Sequence, residues 1–229
     1  DMVERYSRVE MSSKWDLQAK YKAWLKVELA AVKAWNELGL IKKDDCEKIL
    51  KNAKFDIGRI DEIEKTTKHD VIAFLTSVSE NLGAESRFLH YGMTSSDCID
   101  TAVALHVRDS LDLIITDTQN LLKALEKRAF EFKDTLMVGR SHGIHGEPIT
   151  FGLVLAVWFD EIKHALSLLE NAKECISYGK LSGAMGNFAH APLEFEEKVC
   201  QNLGLKPAPV SNQSFSATDT PRSSQPLPF

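Results

Sequence analysis

The stretch "SSDCIDTAVALHVRDSLDLIITDTQNLLKALEKRAFEFK" (residues 95–133) runs for 39 residues without a glycine or a proline. Apolar side chains recur along it at Val103, Leu105, Val107, Leu111, Leu113, Ile114, Leu121, Leu122, Leu125 and Phe132. That pattern predicts one helix. A globular helix averages about 11–12 residues, so one this long needs partners along its length. A helical bundle or coiled coil is therefore expected.

The flanks read the same way. Residues 12–39 carry Trp15, Ala19, Trp24, Leu25, Val27, Leu29, Val32, Trp35 and Leu38 as a broad helical stripe, with Ser12 or Ser13 as the expected cap and Gly39 as the stop. Shorter amphipathic helices are expected over 42–54, 57–70 and 71–83, then a break over 84–97. Downstream, "TFGLVLAVWFDEIKHALSLLENAKECIS" (150–177) predicts a second long helix. Its first half is apolar nearly all round, which implies deep burial, including burial between subunits. A glycine-containing loop (178–190) and a short helix over 192–204, opened by Pro192, follow. The expected fold is all-α.

Bulk properties narrow the function. A net charge of −5 argues against general nucleic-acid binding but leaves room for a local anion pocket. No apolar run reaches the length of a membrane span. Cys46, Cys98, Cys175 and Cys200 are scattered with no CxxC pair, so neither a zinc site nor a disulfide framework is expected. Sparse cysteines, and an N-terminus without a signal-peptide apolar core, point to the cytoplasm.

Five motifs carry chemistry. "GRSHGIHGEP" (139–148) sets His142 and His145 in a glycine-rich gap between helices. Metal binding on a helix prefers histidines four apart with a nearby carboxylate, and this pair is three apart with Gly143 between. A plain polar loop and acid–base chemistry both remain open, because imidazole titrates near neutrality and the glycines admit a ligand beside Arg140 and Ser141. "KHD" (68–70) is a solvated helix end or a cation pair, Lys68 and His69, with Asp70 orienting the ring. "HYGMTSSD" (90–97) holds His90, then Thr94 as a cap of the long helix with Asp97 at its third position. That helix start also suits an anion, with hydroxyls from Thr94, Ser95 and Ser96 to spare. "ERYSR" (4–8) is a charged arm or a phosphate clamp built on Arg5 and Tyr6. "SGAMGNFA" (182–189) permits a tight loop near a ligand or another chain.

Together with "TTKHDV", "GRSHGIHGEPITFG" and "VSNQ", these segments resemble the adenylosuccinate lyase family of the fumarase/aspartase superfamily. They follow the family's order over residues 2–213. The resemblance implies a helical domain over 1–93 and the first part of a long-helix bundle over 94–213. It implies a homotetramer with active sites where three chains meet, and no metal or organic cofactor. The implied reaction is β-elimination of fumarate from adenylosuccinate, giving AMP, and from the succinylated aminoimidazole carboxamide ribotide. By resemblance, His142 is the general acid. Arg5 and Tyr6 hold the phosphate, Lys68, His69 and Asp70 border the substrate, and His90 supports it. Thr94 and Ser95 hold a succinyl carboxylate, and Gln213 binds substrate. A non-catalytic helical scaffold, or a sibling fumarate-releasing lyase, are the competing readings.

The family's base, a serine in an S-S-x-M-P-x-K-x-N loop, has no match. Ser223 and Ser224 in "TPRSSQPLPF" lack the Met-Pro, Lys and Asn around them. Residues 214–229 are proline- and serine-rich and outside the family pattern, as a disordered tail would be. A one-base frameshift also explains them. Codons TCA TTC AGC GCG ACA GAT ACG CC, preceded by one G, read Val-Ile-Gln-Arg-Asp-Arg-Tyr-Ala, which resembles the family after the glutamine. Sequencing the coding DNA past the Gln213 codon decides this. A shifted frame is expected, and an intact frame encoding the tail by design contradicts it.

Overall fold

The computed structural model describes residues 4–214; the frameshift reading falls, but for Ser214, outside them. Eight α-helices order the described chain: α1 (Val9–Ser12), α2 (Leu17–Glu37), α3 (Lys43–Asn52), α4 (Ile57–Thr67), α5 (Asp70–Ser79), α6 (Ser95–Glu131), α7 (Phe151–Ile176) and α8 (Leu193–Leu203). Short strands β1 (Leu136–Ser141) and β2 (Ile144–Thr150) form an antiparallel hairpin. A two-residue parallel pair joins β3 (Tyr178–Gly179) to β4 (Lys206–Pro207). The helical fold expected from the sequence is present, and the long α6 runs unbroken.

Local chemistry sets the helix ends. Ser12 and Ser13 do not cap α2; they close the short α1. The cap of α2 is Asp16, whose carboxylate accepts from Ala19 N at 2.6 Å. It is the stronger choice because it brings negative charge to a helix start as well as an acceptor. Gly39 stops the helix with φ +80°. Asp56 caps α4 through Arg59 N at 2.7 Å, and Lys68 ends it in the left-handed region. Pro192 is the N-cap of α8, one position earlier than the first helical turn expected of it.

The chain divides into two compact units. One takes in residues up to Arg108 and from Cys175 onward; the other is Asp109–Glu174. The first unit is cored by an aromatic cluster. Trp24 meets Tyr21 and Phe74 edge-on at 5.4 and 5.5 Å between centroids, and Trp35 stacks on Phe195 at 4.2 Å. Trp35 Nε1 also donates to Tyr91 O at 2.9 Å, which fixes the segment leading into α6.

In the second unit, the end of α6 and the start of α7 are joined by backbone. Phe151 N donates to Thr135 O and Gly152 N to Phe132 O, both at 2.9 Å. A Cβ on Gly152 would lie 2.5 Å from Ala129 O and 2.6 Å from Lys133 Cα, so only glycine permits this approach. The apolar first half of α7, read as deeply buried, is open here. Leu153, Val157 and Trp158 are each about half exposed. Beside them lies an apolar cavity of about 520 Å³ lined by Ala129, Phe130, Leu153, Ala156 and Phe159, among others. Burial between subunits needs a partner, and a single chain supplies none.

Gly152→Ala is expected to destabilise the chain by about 1–3 kcal/mol, because the α6–α7 backbones must separate. Urea unfolding checks this, and an unchanged midpoint contradicts the close approach.

Candidate functional site

The histidine motif is a β-hairpin, where a glycine-rich loop was expected. Ser141 pairs with Ile144, leaving His142-Gly143 as a two-residue turn. Both turn residues have positive φ, +55° and +76°, as a type I′ turn requires. Glycine supplies this freely, and histidine is among the side chains that tolerate it. A bulge follows, with the register shifting between Val138 and Arg140. The two histidines are thereby unequal. His142 stands at the turn, and His145 lies in β2 opposite Arg140. Both are exposed. Among the described residues, no group of three or more His, Cys, Asp or Glu is placed to hold a metal ion.

The remaining sequence-predicted residues belong to the first unit. His69 is the N-cap of α5, its Nδ1 accepting from Ile72 N at 3.4 Å. An accepting Nδ1 leaves the proton of the neutral ring on Nε2. Asp70 lies 3.6 Å from that ring and 3.8 Å from Lys20 Nζ. Lys68 and Asp70 open onto different hollows. Lys68 lines one with Asp61, Glu64 and Lys65, and Asp70 one of about 290 Å³ with Lys20, Trp24 and Val103. Arg5 and Tyr6 are exposed in the 3-10 turn Glu4–Tyr6, the guanidinium 4.8 Å from the Tyr6 ring centroid.

His90 is held by a partner the sequence reading missed. Glu28, on α2 and only 1% exposed, accepts from His90 N at 2.8 Å and meets its Nδ1 at 2.7 Å. The two are 62 positions apart. Burial works against charge on the ring, but the hydrogen bond and charge of Glu28, with Asp97, outweigh it and raise His90 above its ordinary value. The one signal in the sequence is a glutamate inside an otherwise apolar stripe, "VELAAV".

The start of α6 is the most highly organised part of the site. Asp97 completes the back-reaching half of a capping box, accepting from Thr94 N at 2.9 Å. It also meets Lys180 Nζ at 2.6 Å, both side chains being 0% exposed. Lys180 further donates to Gly183 O at 2.7 Å and Gln213 O at 3.0 Å. Gly183 N returns to Asp97 at 3.2 Å, and Ser182 Oγ lies 2.6 Å from Ser211 Oγ. Thr94, Ser95 and Gln213 are thus gathered around one buried ion pair, with the hydroxyl-bearing residues half-buried at the helix start. Burial pushes the Asp97 carboxyl up, against the pull of Lys180 and the amides of Thr94 and Gly183. Behind it, Glu196 accepts from Leu181 N at 2.6 Å. Burial first, and Asp97 next among the groups that raise it, push Glu196 up to about 7.

What this arrangement offers chemically is a fixed helix start with polar groups and a neutralised first-turn carboxylate, suited to an anion. His142, on the other unit, is an exposed ring at a two-residue turn.

A family model described as "Lyase" matches residues 5–221. Over 212 residues the chain is 61% identical to a protein named adenylosuccinate lyase from Helicobacter pylori, covering 93% of this chain and 48% of that one. Over 214 residues it is 47% identical to the protein of that name from Bacillus subtilis, covering 93% and 50%. The chain therefore spans about half the length of the curated relatives it matches. A fumarate lyase structure from Mesorhizobium sp. BNC1 superposes with a TM-score of 0.83 at 26% identity, over 88% of this chain and 49% of that one. A 3-carboxy-cis,cis-muconate lactonizing enzyme from Pseudomonas putida shares the fold, with a TM-score of 0.81 at 23% identity, over 90% and 49%.

A raised folded-state pKa means that protonated His90 contributes stability that is complete below about pH 6.5 and lost as pH climbs through its folded value. Glu28→Gln should lower the His90 pKa relative to the unsubstituted chain, read by NMR titration of the ring. An unmoved titration contradicts the pairing.

Proposed function

The chain belongs to the lyase family whose model spans residues 5–221, and on that premise we propose that it is the N-terminal half of an adenylosuccinate lyase. The observation that carries this reading is the 61% and 47% identity to two proteins of that name. The aligned stretches cover 93% of the chain, and the motifs fall in the family's order within it.

In the proposed reaction, a base takes the proton from the carbon next to a substrate carboxylate, and the carbon–nitrogen bond breaks. Fumarate and AMP leave; the succinylated carboxamide ribotide is cleaved in the same way. His142 gives its proton to the departing nitrogen. An exposed ring on a two-residue turn can enter a site completed by other chains, which supports this role. Thr94 and Ser95 take a carboxylate of the succinyl group at the start of α6, and Gln213 is held beside them. Arg5 and Tyr6 take the phosphate. Lys68, His69 and Asp70 border the substrate, and His90 supports it through Glu28. The chemistry asks for proton transfer and anion binding, which side chains supply without a metal or an organic cofactor.

The reading includes a boundary near residues 93 and 94 between a helical domain and a bundle domain. It also includes a cytoplasmic homotetramer. The half-exposed Leu153, Val157 and Trp158 support association, since such faces on a long helix call for further helices.

The 229 residues carry no S-S-x-M-P-x-K-x-N loop, so this chain alone should release no fumarate from adenylosuccinate. Joined in frame after Gln213 to the remaining half of the Helicobacter pylori relative, it should turn the substrate over. His142→Ala in that chimera should lower turnover by about 10²–10⁴-fold with folding retained. Turnover by the chain alone contradicts the missing base, and an active His142→Ala variant contradicts the general acid.

A further inference from the structure

We propose that Lys180 is a positioning residue for the carboxylate end of the substrate site, tying the Gln213 backbone to the start of α6 and cancelling the charge of Asp97 there. The inference rests on the lyase reading of Thr94, Ser95 and Gln213. Its own basis is geometric. The Lys180 ammonium has three hydrogens, and three oxygens receive them: Asp97 Oδ1, Gly183 O and Gln213 O, at 2.6, 2.7 and 3.0 Å. These oxygens lie on three separate pieces of chain: the first turn of α6, the glycine-containing loop, and the segment before residue 214. Lys180 is itself fixed from behind, because its backbone N donates to Thr101 Oγ1 at 3.1 Å and Thr101 Oγ1 donates to its carbonyl at 3.2 Å.

Stability alone is a poor reason for this arrangement. A buried ion pair gains little over apolar residues of the same shape. An apolar residue, however, orients no carbonyls. Asp97 also sits in the first helical turn, where its charge would oppose a carboxylate arriving at the same amides. Lys180 removes that opposition from the side away from solvent and leaves the Thr94–Ser95 end open to the substrate.

Three variants of the in-frame chimera separate positioning from structure: Lys180→Met, Asp97→Asn, and both together. The single Lys180→Met leaves a buried carboxylate unpaired, and should raise KM and lower kcat together. The double variant is neutral and close in shape, so thermal stability and KM should return toward the parent. Its kcat should stay at least about tenfold down, because Gln213 O has lost its donor. Recovery of kcat along with stability would overturn the proposal. In the 229-residue chain itself, subtilisin should cut residues 210–214 about tenfold faster in the double variant than in the parent, with α6 intact. An unchanged cutting rate also overturns it. A parent chimera without turnover contradicts the lyase reading and not the tether, which the cutting rate then decides.

Discussion

The pair Asp97–Lys180 is the constraint on which the site depends. Neither side chain has any exposure, so each must satisfy its charge inside the protein. Asp97 does so with two backbone amides and the ammonium, and Lys180 with two backbone carbonyls and the carboxylate. Three segments therefore have one arrangement in which nothing charged is left unpaired. Breaking one partner of such a pair costs about 3–5 kcal/mol. That arrangement sets the first turn of α6, the longest helix among the described residues.

Around that anchor, polar and apolar parts divide the work. The aromatic cluster of Tyr21, Trp24, Phe55 and Phe74 gives the first unit its core. The buried carboxyl groups of Glu28 and Glu196 fix backbone segments that no helix ladder reaches. The second unit is built from α6 beyond Arg108, the hairpin and most of α7, and keeps its apolar faces open. A helix pair of that kind presents His142 at a two-residue turn while remaining available to further helices.

Helices were legible in the sequence because apolar spacing at 3.6 residues leaves a strong imprint, above all on α6 and α7. Their ends were less so. Ser12 and Ser13 look like caps, yet Asp16 takes the role because its carboxylate reaches Ala19 N. The hairpin was read as a loop, since its glycines hide the alternation of strands and His-Gly is an uncommon form of the two-residue turn. The candidate residues at motif positions were picked out as a set by their order. Glu28 and Lys180 were not, because a charged residue in the sequence looks the same whether it faces water or a partner. Their partners lie 62 and 83 positions away, a separation that no local pattern encodes.

The central claim is that the start of α6, held by Lys180, receives a substrate carboxylate. A crystal structure of the active chimera with fumarate bound tests it most directly. The account predicts one fumarate carboxylate about 3 Å from the hydroxyls of Thr94 and Ser95 or the first amides of α6. The Lys180 contacts to Asp97, Gly183 and Gln213 should be intact beneath it. Fumarate bound elsewhere, with water alone at the helix start, would contradict it.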